Sequence, residues 1–150
     1  MHKILFICHG NICRSPMAEM ILKHLIRCRG IAEQFEIASC AVSREEIGNP
    51  VYPPARAELA RHGVPCEKRS ARQLTRQDGE YYDYLIAMDA WNLRLMQRIL
   101  PPDAPAKQCL LMDFTSRPGE VSDPWYSDRF DIAYQDILEG CEGLLKHLGY

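Results

Sequence analysis

From Lys3 to Cys8 every residue after the lysine is apolar. An unbroken apolar run of that length fits a strand buried on both faces of a parallel sheet. The run breaks at His9-Gly10-Asn11, and beyond Ser15-Pro16 the apolar spacing changes. Ala18, Ile21, Leu22, Leu25 and Ile26 fall at i, i+3, i+4, i+7 and i+8, which is one stripe of an amphipathic helix. Ser15 is the expected N-cap, Pro16 suits the first helical turn and Gly30 the stop. The opening segment therefore predicts a strand, a loop and a helix.

The same alternation recurs. Phe35 to Cys40 reads as a second strand. A Gly48-Asn49-Pro50 turn and Pro53-Pro54 lead into a helix from about Ala55 to Arg61, closed by His62-Gly63. Tyr84 to Met88 reads as a third strand, Trp91 to Leu100 as a helix, and Gln108 to Met112 as a fourth strand. Phe130, Tyr134, Ile137, Leu138, Cys141, Leu144, Leu145 and Leu148 mark a long closing helix, with Gly140 and Gly143 permitting close packing. Strands alternating with helices predict a single α/β domain over residues 1–150, three layers deep (α/β/α) around a four-stranded parallel sheet. The longest irregular stretch, Asp113 to Ser127, is long enough to be expected to carry function.

Composition narrows the class. The chain has 150 residues, 47% apolar and 25% charged, which suits one ordinary globule. A formal charge of −2 supplies no global attraction for nucleic acid or anionic lipid, so any anion must be recognised locally. The longest apolar runs, Ile4 to Cys8 and Tyr84 to Met88, fall far short of the roughly 18 residues a membrane helix needs. The start is too short in apolar residues for a secretory signal, and a cytoplasmic location is expected. Seven cysteines without a C-x-x-C pair indicate neither a disulfide framework nor a zinc ribbon.

The chemistry gathers at Cys8-His9-Gly10-Asn11-Ile12-Cys13-Arg14-Ser15. The spacing of Cys8 and Arg14 alone is weak, since Cys66 and Arg72 share it. Only the first pair follows a buried strand, contains Gly and Asn, and precedes a helix. In that context the backbone of the loop can wrap into a nest of inward N–H groups, and the helix dipole adds positive potential. Arg14 can grip two phosphate oxygens. A cysteine in such a field is expected to be a thiolate near neutrality, and a thiolate at a phosphate site is a nucleophile toward phosphorus. The Ser15 hydroxyl can donate to the sulfur. A leaving alkoxide or phenoxide needs a proton, for which Asp123 is the candidate, with Trp125 and Tyr126 placed to flank an aromatic ring. Taken alone, Asp123 reads as a turn or N-cap residue before the last helix.

The run CHGNICRSPMAE with DPWY near residue 123 resembles the low-molecular-weight protein tyrosine phosphatases, as do IGNP at 47–50, ARQLT at 71–75 and MDAWNLR at 88–94. The resemblance implies hydrolysis of phosphotyrosine and aryl phosphate monoesters through a phosphocysteine, with no metal and no cofactor. It implies Cys8 as nucleophile, Arg14 as transition-state clamp and Asp123 as general acid and then base. His9, Gly10, Asn11, Ile12, Cys13, Ser15, Glu45, Trp125 and Tyr126 are the implied substrate-binding positions. Asn11, Ser15 and Ser39 are the implied supports of the loop. Cys13 matches a second loop cysteine that can form a reversible disulfide with the first. The implied partners are a phosphotyrosine-bearing protein or peptide and a tyrosine kinase, with inorganic phosphate as product. Three positions depart from the commoner pattern. A histidine that often joins the loop network has no counterpart, the nearest position being Arg69; a carboxylate, Glu45, stands where an aromatic is frequent; and Trp125 stands where tyrosine is frequent.

Two other readings are open to the same motif. An arsenate reductase on this scaffold needs a thiol relay near the third strand, and residues 67–108 contain no cysteine. A phosphotyrosine-binding module without turnover would be expected to lack the nucleophile or the acid. Outside the motif, Asp89 reads as a helix N-cap, His24, His62 and His147 as solvated helix residues, and Arg69, Arg72 and Arg76 as an exposed face.

Overall fold

The computed structural model describes residues 1–150. Four strands form one parallel sheet: β1 (His2–Cys8), β2 (Phe35–Ala41), β3 (Tyr84–Ala87) and β4 (Lys107–Leu110), in the order β2-β1-β3-β4. β1 is therefore central, and Ile4, Leu5, Phe6 and Ile7 are fully buried, as the unbroken apolar run requires. Alternate residues serve opposite faces. Ile4, Phe6 and Cys8 join the larger core with α1 (Arg14–Cys28), α2 (Pro53–Arg61) and α6 (Phe130–His147), whereas Leu5 and Ile7 join a smaller core with α4 (Ala90–Ile99). The expected three-layer α/β/α architecture is the one observed.

The chain leaves β1, adds β2 on one side and crosses to β3 on the other, so the crevice between the carboxyl ends of β1 and β3 is a topological switch point, where open parallel sheets bind ligands. Cys8 ends β1 on one side of it. Met88 and Asp89 leave β3 on the other.

Local differences from the sequence reading have physical causes. Arg14 begins α1 with Cys13 at the N-cap, so Ser15 is not the cap; its hydroxyl is drawn to the Cys8 sulfur instead. β4 stops at Leu110, because Leu111–Phe114 tightens into a 3-10 helix whose Asp113 carboxylate accepts from the Leu110 amide. Two short helices escaped periodicity altogether: α3 (Asp78–Tyr81) and α5 (Pro124–Ser127), the latter inside the stretch read as irregular. Each is about one turn, too short to show a stripe. His62 and His147 are packed as well as solvated: His62 stacks on Tyr134 at 3.7 Å and bonds Glu58, and His147 lies against Phe114.

The two glycines of α6 are where the 3-10 helix presses on it. A Cβ at Gly143 would stand 2.1 Å from the Phe114 carbonyl oxygen, and one at Gly140 would stand 2.4 Å from Leu111 Cγ. Gly143→Ala should destabilise the fold by about 1–3 kcal/mol in urea unfolding, and Gly140→Ala by less, since a leucine side chain yields where a carbonyl does not. Equal unfolding midpoints for Gly143→Ala and wild type would show that the helix can back away.

Candidate active site

The loop from Cys8 to Ser15 is shaped by one backbone event. Asn11 takes a left-handed conformation at φ 60°, which asparagine tolerates better than most residues, and the chain folds back so that the Asn11 amide donates to Cys8 Sγ at 3.3 Å. Ser15 Oγ approaches the same sulfur at 3.0 Å and accepts from Asn11 Nδ2 at 2.8 Å. Strand neighbours hold the loop from outside. The Val42 and Ser43 amides donate to the carbonyls of Cys8 and His9, and the Tyr52 amide donates to that of Ile12. By contrast, the amides of Gly10, Ile12, Cys13, Arg14 and Ser15 donate to no atom of the chain. Ile12, Cys13, Arg14 and Ser15 are all buried, and buried amides in native proteins ordinarily have partners. The row of free donors is thus an acceptor-seeking surface beside the sulfur.

Arg14 is the buried cation of the site. Its Nη1 donates to Asp89 Oδ2 and to the Val121 carbonyl, both at 2.8 Å, and its Nη2 to Asp123 Oδ2 at 3.4 Å. Burial works against its charge, but Cys8, Asp123 and Asp89 together outweigh that cost and raise its pKa above the ordinary arginine value. Val121 is fixed in turn, its amide donating to the Met88 carbonyl at the end of β3. That bond delivers Asp123 to the crevice from a segment more than thirty residues downstream of the strand. Asp123 Oδ1 accepts from the Trp125 amide, so it does cap a helix as its isolated reading has it, though the helix is α5 rather than the last one.

These groups surround a cavity of about 390 Å³ lined by Cys8, His9, Gly10, Ile12, Cys13, Arg14, Glu45, Glu46, Asp89, Trp91, Asn92, Asp123, Trp125 and Tyr126. Most of the sequence-derived positions meet there. His9 Nε2 pairs with Glu45 Oε2 at 3.1 Å on its rim, and Tyr126 is 86% exposed beside it. Three do not line it. Asn11 and Ser15, read as substrate contacts, have no exposure and stand behind the loop as struts. Ser39, read as a loop support, donates to Glu19 Oε1 at 2.5 Å within α1 and makes no bond to the loop. The basic cluster is an exposed face only in part: Arg76 is exposed, whereas Arg69 and Arg72 are partly buried and paired. Arg69 holds Asn11 through its carbonyl and Oδ1, and Arg72 pairs with Asp78.

With that geometry in place, known proteins can be compared. The family profile described as low molecular weight phosphotyrosine protein phosphatase matches residues 3–150. The chain belongs to this family. Among its relatives, the low molecular weight protein-tyrosine-phosphatase YfkJ of Bacillus subtilis is 36% identical over 99% of this chain and 96% of its own. The crystal structure of YfkJ superposes with a TM-score of 0.92, covering 99% of this chain and 94% of that one at 34% identity. The human low molecular weight phosphotyrosine protein phosphatase is 34% identical over 95% and 93% of the two chains. A drosophila arginine phosphatase, DARP, superposes with a TM-score of 0.91 at 33% identity, covering 99% and 98%. Like its relatives, this phosphatase is a hydrolase, and phosphotyrosine proteins are the substrates its family implies. No helix in it is long and apolar enough to cross a membrane.

Sequence reasoning missed four wall residues of the phosphatase cavity. Asp89 was legible as a cap, which it is, accepting from the Asn92 amide at 2.7 Å. Its second role as an Arg14 partner had one available signal, its position just past a parallel strand beside β1. Trp91 and Asn92 follow from the same position, and Glu46 from its adjacency to Glu45.

Burial raises several thiols at and around the site. Cys13 is pushed up to about 12, chiefly by burial and then by the charges of Cys8 and Asp123, and Cys109 to about 12 by burial and Asp113; burial also raises Cys40 and Cys141. These groups are neutral in both states below their ordinary value of 9.0. Above it the unfolded chain releases protons that the native chain keeps, so stability falls as pH rises. Urea midpoints should therefore decline steadily between about pH 9 and about pH 11. A flat midpoint across that window would mean these thiols ionise without unfolding.

Proposed function

We propose that the phosphatase hydrolyses phosphotyrosine and related aryl phosphates through a phosphocysteine on Cys8. The observation that carries this reading is the row of unpaired amides of Gly10, Ile12, Cys13, Arg14 and Ser15 beside Cys8 Sγ, in a cavity that Arg14 also lines. Such a cradle matches the oxygens of a phosphoryl group, whose charge it stabilises most where the bonds to sulfur and leaving oxygen are both partial. The aromatic ring then lies among Ile12, Trp91, Trp125 and Tyr126. Cys8 attacks phosphorus, and Asp123 gives its proton to the departing phenolic oxygen. In the second step Asp123 takes a proton from the attacking water, phosphate leaves, and the Ser15 hydroxyl at 3.0 Å steadies the sulfur anion that is released.

A tyrosine kinase is the corresponding source of substrate, and the cytoplasm the corresponding location. Residues 1–150 act as one phosphatase domain. Cys13, a free and buried thiol in the same loop, serves as the reserve partner of Cys8 in a reversible disulfide that shelters it from deeper oxidation. Arsenate reduction lacks a relay, since no cysteine lies within residues 67–108. A second substrate is favoured by one observation: the Glu45 and Glu46 carboxylates on the cavity wall suit a guanidinium, and a relative is named an arginine phosphatase.

Cys8→Ser should abolish turnover of p-nitrophenyl phosphate while retaining phosphate binding; appreciable hydrolysis by that variant refutes the nucleophile. Asp123→Asn should cost about 10²–10⁴-fold on phenyl phosphate and much less on aryl phosphates with good leaving groups. Equal losses on both would remove Asp123 from the role of acid. Phosphoarginine peptides assayed beside phosphotyrosine peptides decide between the two substrates, and the expected order is phosphotyrosine first.

A further inference from the structure

The Asp123 side chain has a single polar contact outside its own turn. Its Oδ2 receives Arg14 Nη2 at 3.4 Å, a long bond, and its Oδ1 is engaged by the Trp125 amide. Where the carboxylate stands is therefore decided by the main chain that leads to it. Val121, two residues earlier, is well held: its amide donates to the Met88 carbonyl at 3.0 Å and its carbonyl accepts from Arg14 Nη1 at 2.8 Å. Residues 116–120 are not, since none of their main-chain groups finds a main-chain partner and the Arg117 amide bonds only the Thr115 hydroxyl. Gly119 lies among them at φ 156°, a backbone open to glycine. Two side chains anchor this stretch. Arg117 reaches Asp136 and Glu139 on α6, and Glu120 reaches the start of α4.

The bond at α4 answers a need of that helix, whose first amides have no partner within it. Asp89, the cap, takes the Asn92 amide on Oδ1 and Arg14 on Oδ2, so both its oxygens are engaged and the Ala90 amide is left over. Glu120 Oε2 accepts from that amide at 2.7 Å. The positive end of the helix dipole favours a carboxylate there as well. Because Glu120 belongs to the connection and Ala90 to the helix 30 positions before it, the bond ties together two segments that sequence keeps apart. Residues 120 and 121 thus rest on three points: Ala90, Met88 and Arg14.

We propose that Glu120 is a positioning residue, which seats the connection on α4 by accepting from the Ala90 amide and thereby places the Asp123 carboxylate for proton transfer. This rests on the reading of Asp123 as the acid. Proton transfer needs heavy atoms within about 2.6–3.2 Å of each other, so a small shift of residues 121–123 impairs protonation of the leaving oxygen. The cradle, which belongs to β1 and α1, stays as it is. Reach matters more than charge in this role. Aspartate in place of Glu120 keeps the charge but falls one methylene short, whereas glutamine keeps both the reach and an accepting oxygen.

Glu120→Ala, Glu120→Asp and Glu120→Gln, made in the full chain, test this. Glu120 is exposed, so its replacement leaves the core intact, and near-UV circular dichroism checks that it does. The first readout is kcat/KM on phenyl phosphate, whose leaving group needs the proton, against p-nitrophenyl phosphate, whose leaving group needs it less. Glu120→Ala and Glu120→Asp should each lose about 10-fold on phenyl phosphate and roughly 2-fold or less on the nitrophenyl ester, while Glu120→Gln stays within about 2-fold of wild type on both. A merely structural role would lower both substrates alike. The second readout, amide hydrogen exchange over residues 117–126, needs no turnover. It should quicken in Glu120→Ala and Glu120→Asp and not in Glu120→Gln. Equal losses on the two substrates, no loss in Glu120→Ala, a Glu120→Gln protein as impaired as Glu120→Ala, or unchanged exchange in Glu120→Ala each overturns the proposal. Asp123→Asn, assayed alongside, keeps two failures apart. Selective loss there with none in Glu120→Ala overturns the role of Glu120 alone, whereas no selective loss in Asp123→Asn overturns the acid and the role of Glu120 with it.

Discussion

A single buried cation organises this molecule's crevice. Arg14 begins α1 with almost no exposure, and its two arms reach the cap of α4, a main-chain carbonyl of the long connection and the carboxylate of Asp123. Removing a guanidinium from water is costly, and it is tolerated here because its donors meet well-placed acceptors. Breaking one of those contacts would leave an uncompensated charge in the core, so the arrangement is held as a unit. In the proposed mechanism the acid and the clamp are therefore not independent parts, because the cation assigned to the phosphoryl group also holds Asp123 beside it.

Around that cation, secondary structure supplies the rest at little cost. The parallel sheet aims the carboxyl ends of β1 and β3 into one crevice, and the first turn of α1 offers amides that no helix can satisfy internally. Asn11 makes the one unusual backbone move that brings those amides round the sulfur. The struts behind the loop are polar, buried and nearly all paired with one another, which rigidifies the loop without closing the cavity.

Much of this was legible in the residues. The apolar run of β1 and the stripe of α1 placed a loop at the carboxyl end of a strand, that loop drew attention to Cys8 and Arg14 and the DPWY run to Asp123, and the fold brings all three to one cavity. What escaped was of two kinds. One-turn helices such as α3 and α5 are too short to leave a period. Pairings across the fold, such as Arg14 with Asp89, Arg69 with Asn11 or Ser39 with Glu19, depend on which segments the topology brings together. Arg69 shows the difficulty best. By composition it belongs to a basic stretch that reads as solvated surface, and only the main-chain bonds of residues 71–74 to β2 and its neighbours turn it inward.

The central claim is that the sulfur of Cys8, held among donors and facing Arg14, takes the phosphoryl group covalently. Rapid acid quench during turnover of an aryl phosphate, followed by peptide mapping, addresses this directly. The account requires a phosphoryl group on the peptide that carries Cys8, appearing within the first turnover and disappearing as phosphate is released. Turnover without any labelled peptide, or a label on a residue other than Cys8, would contradict it.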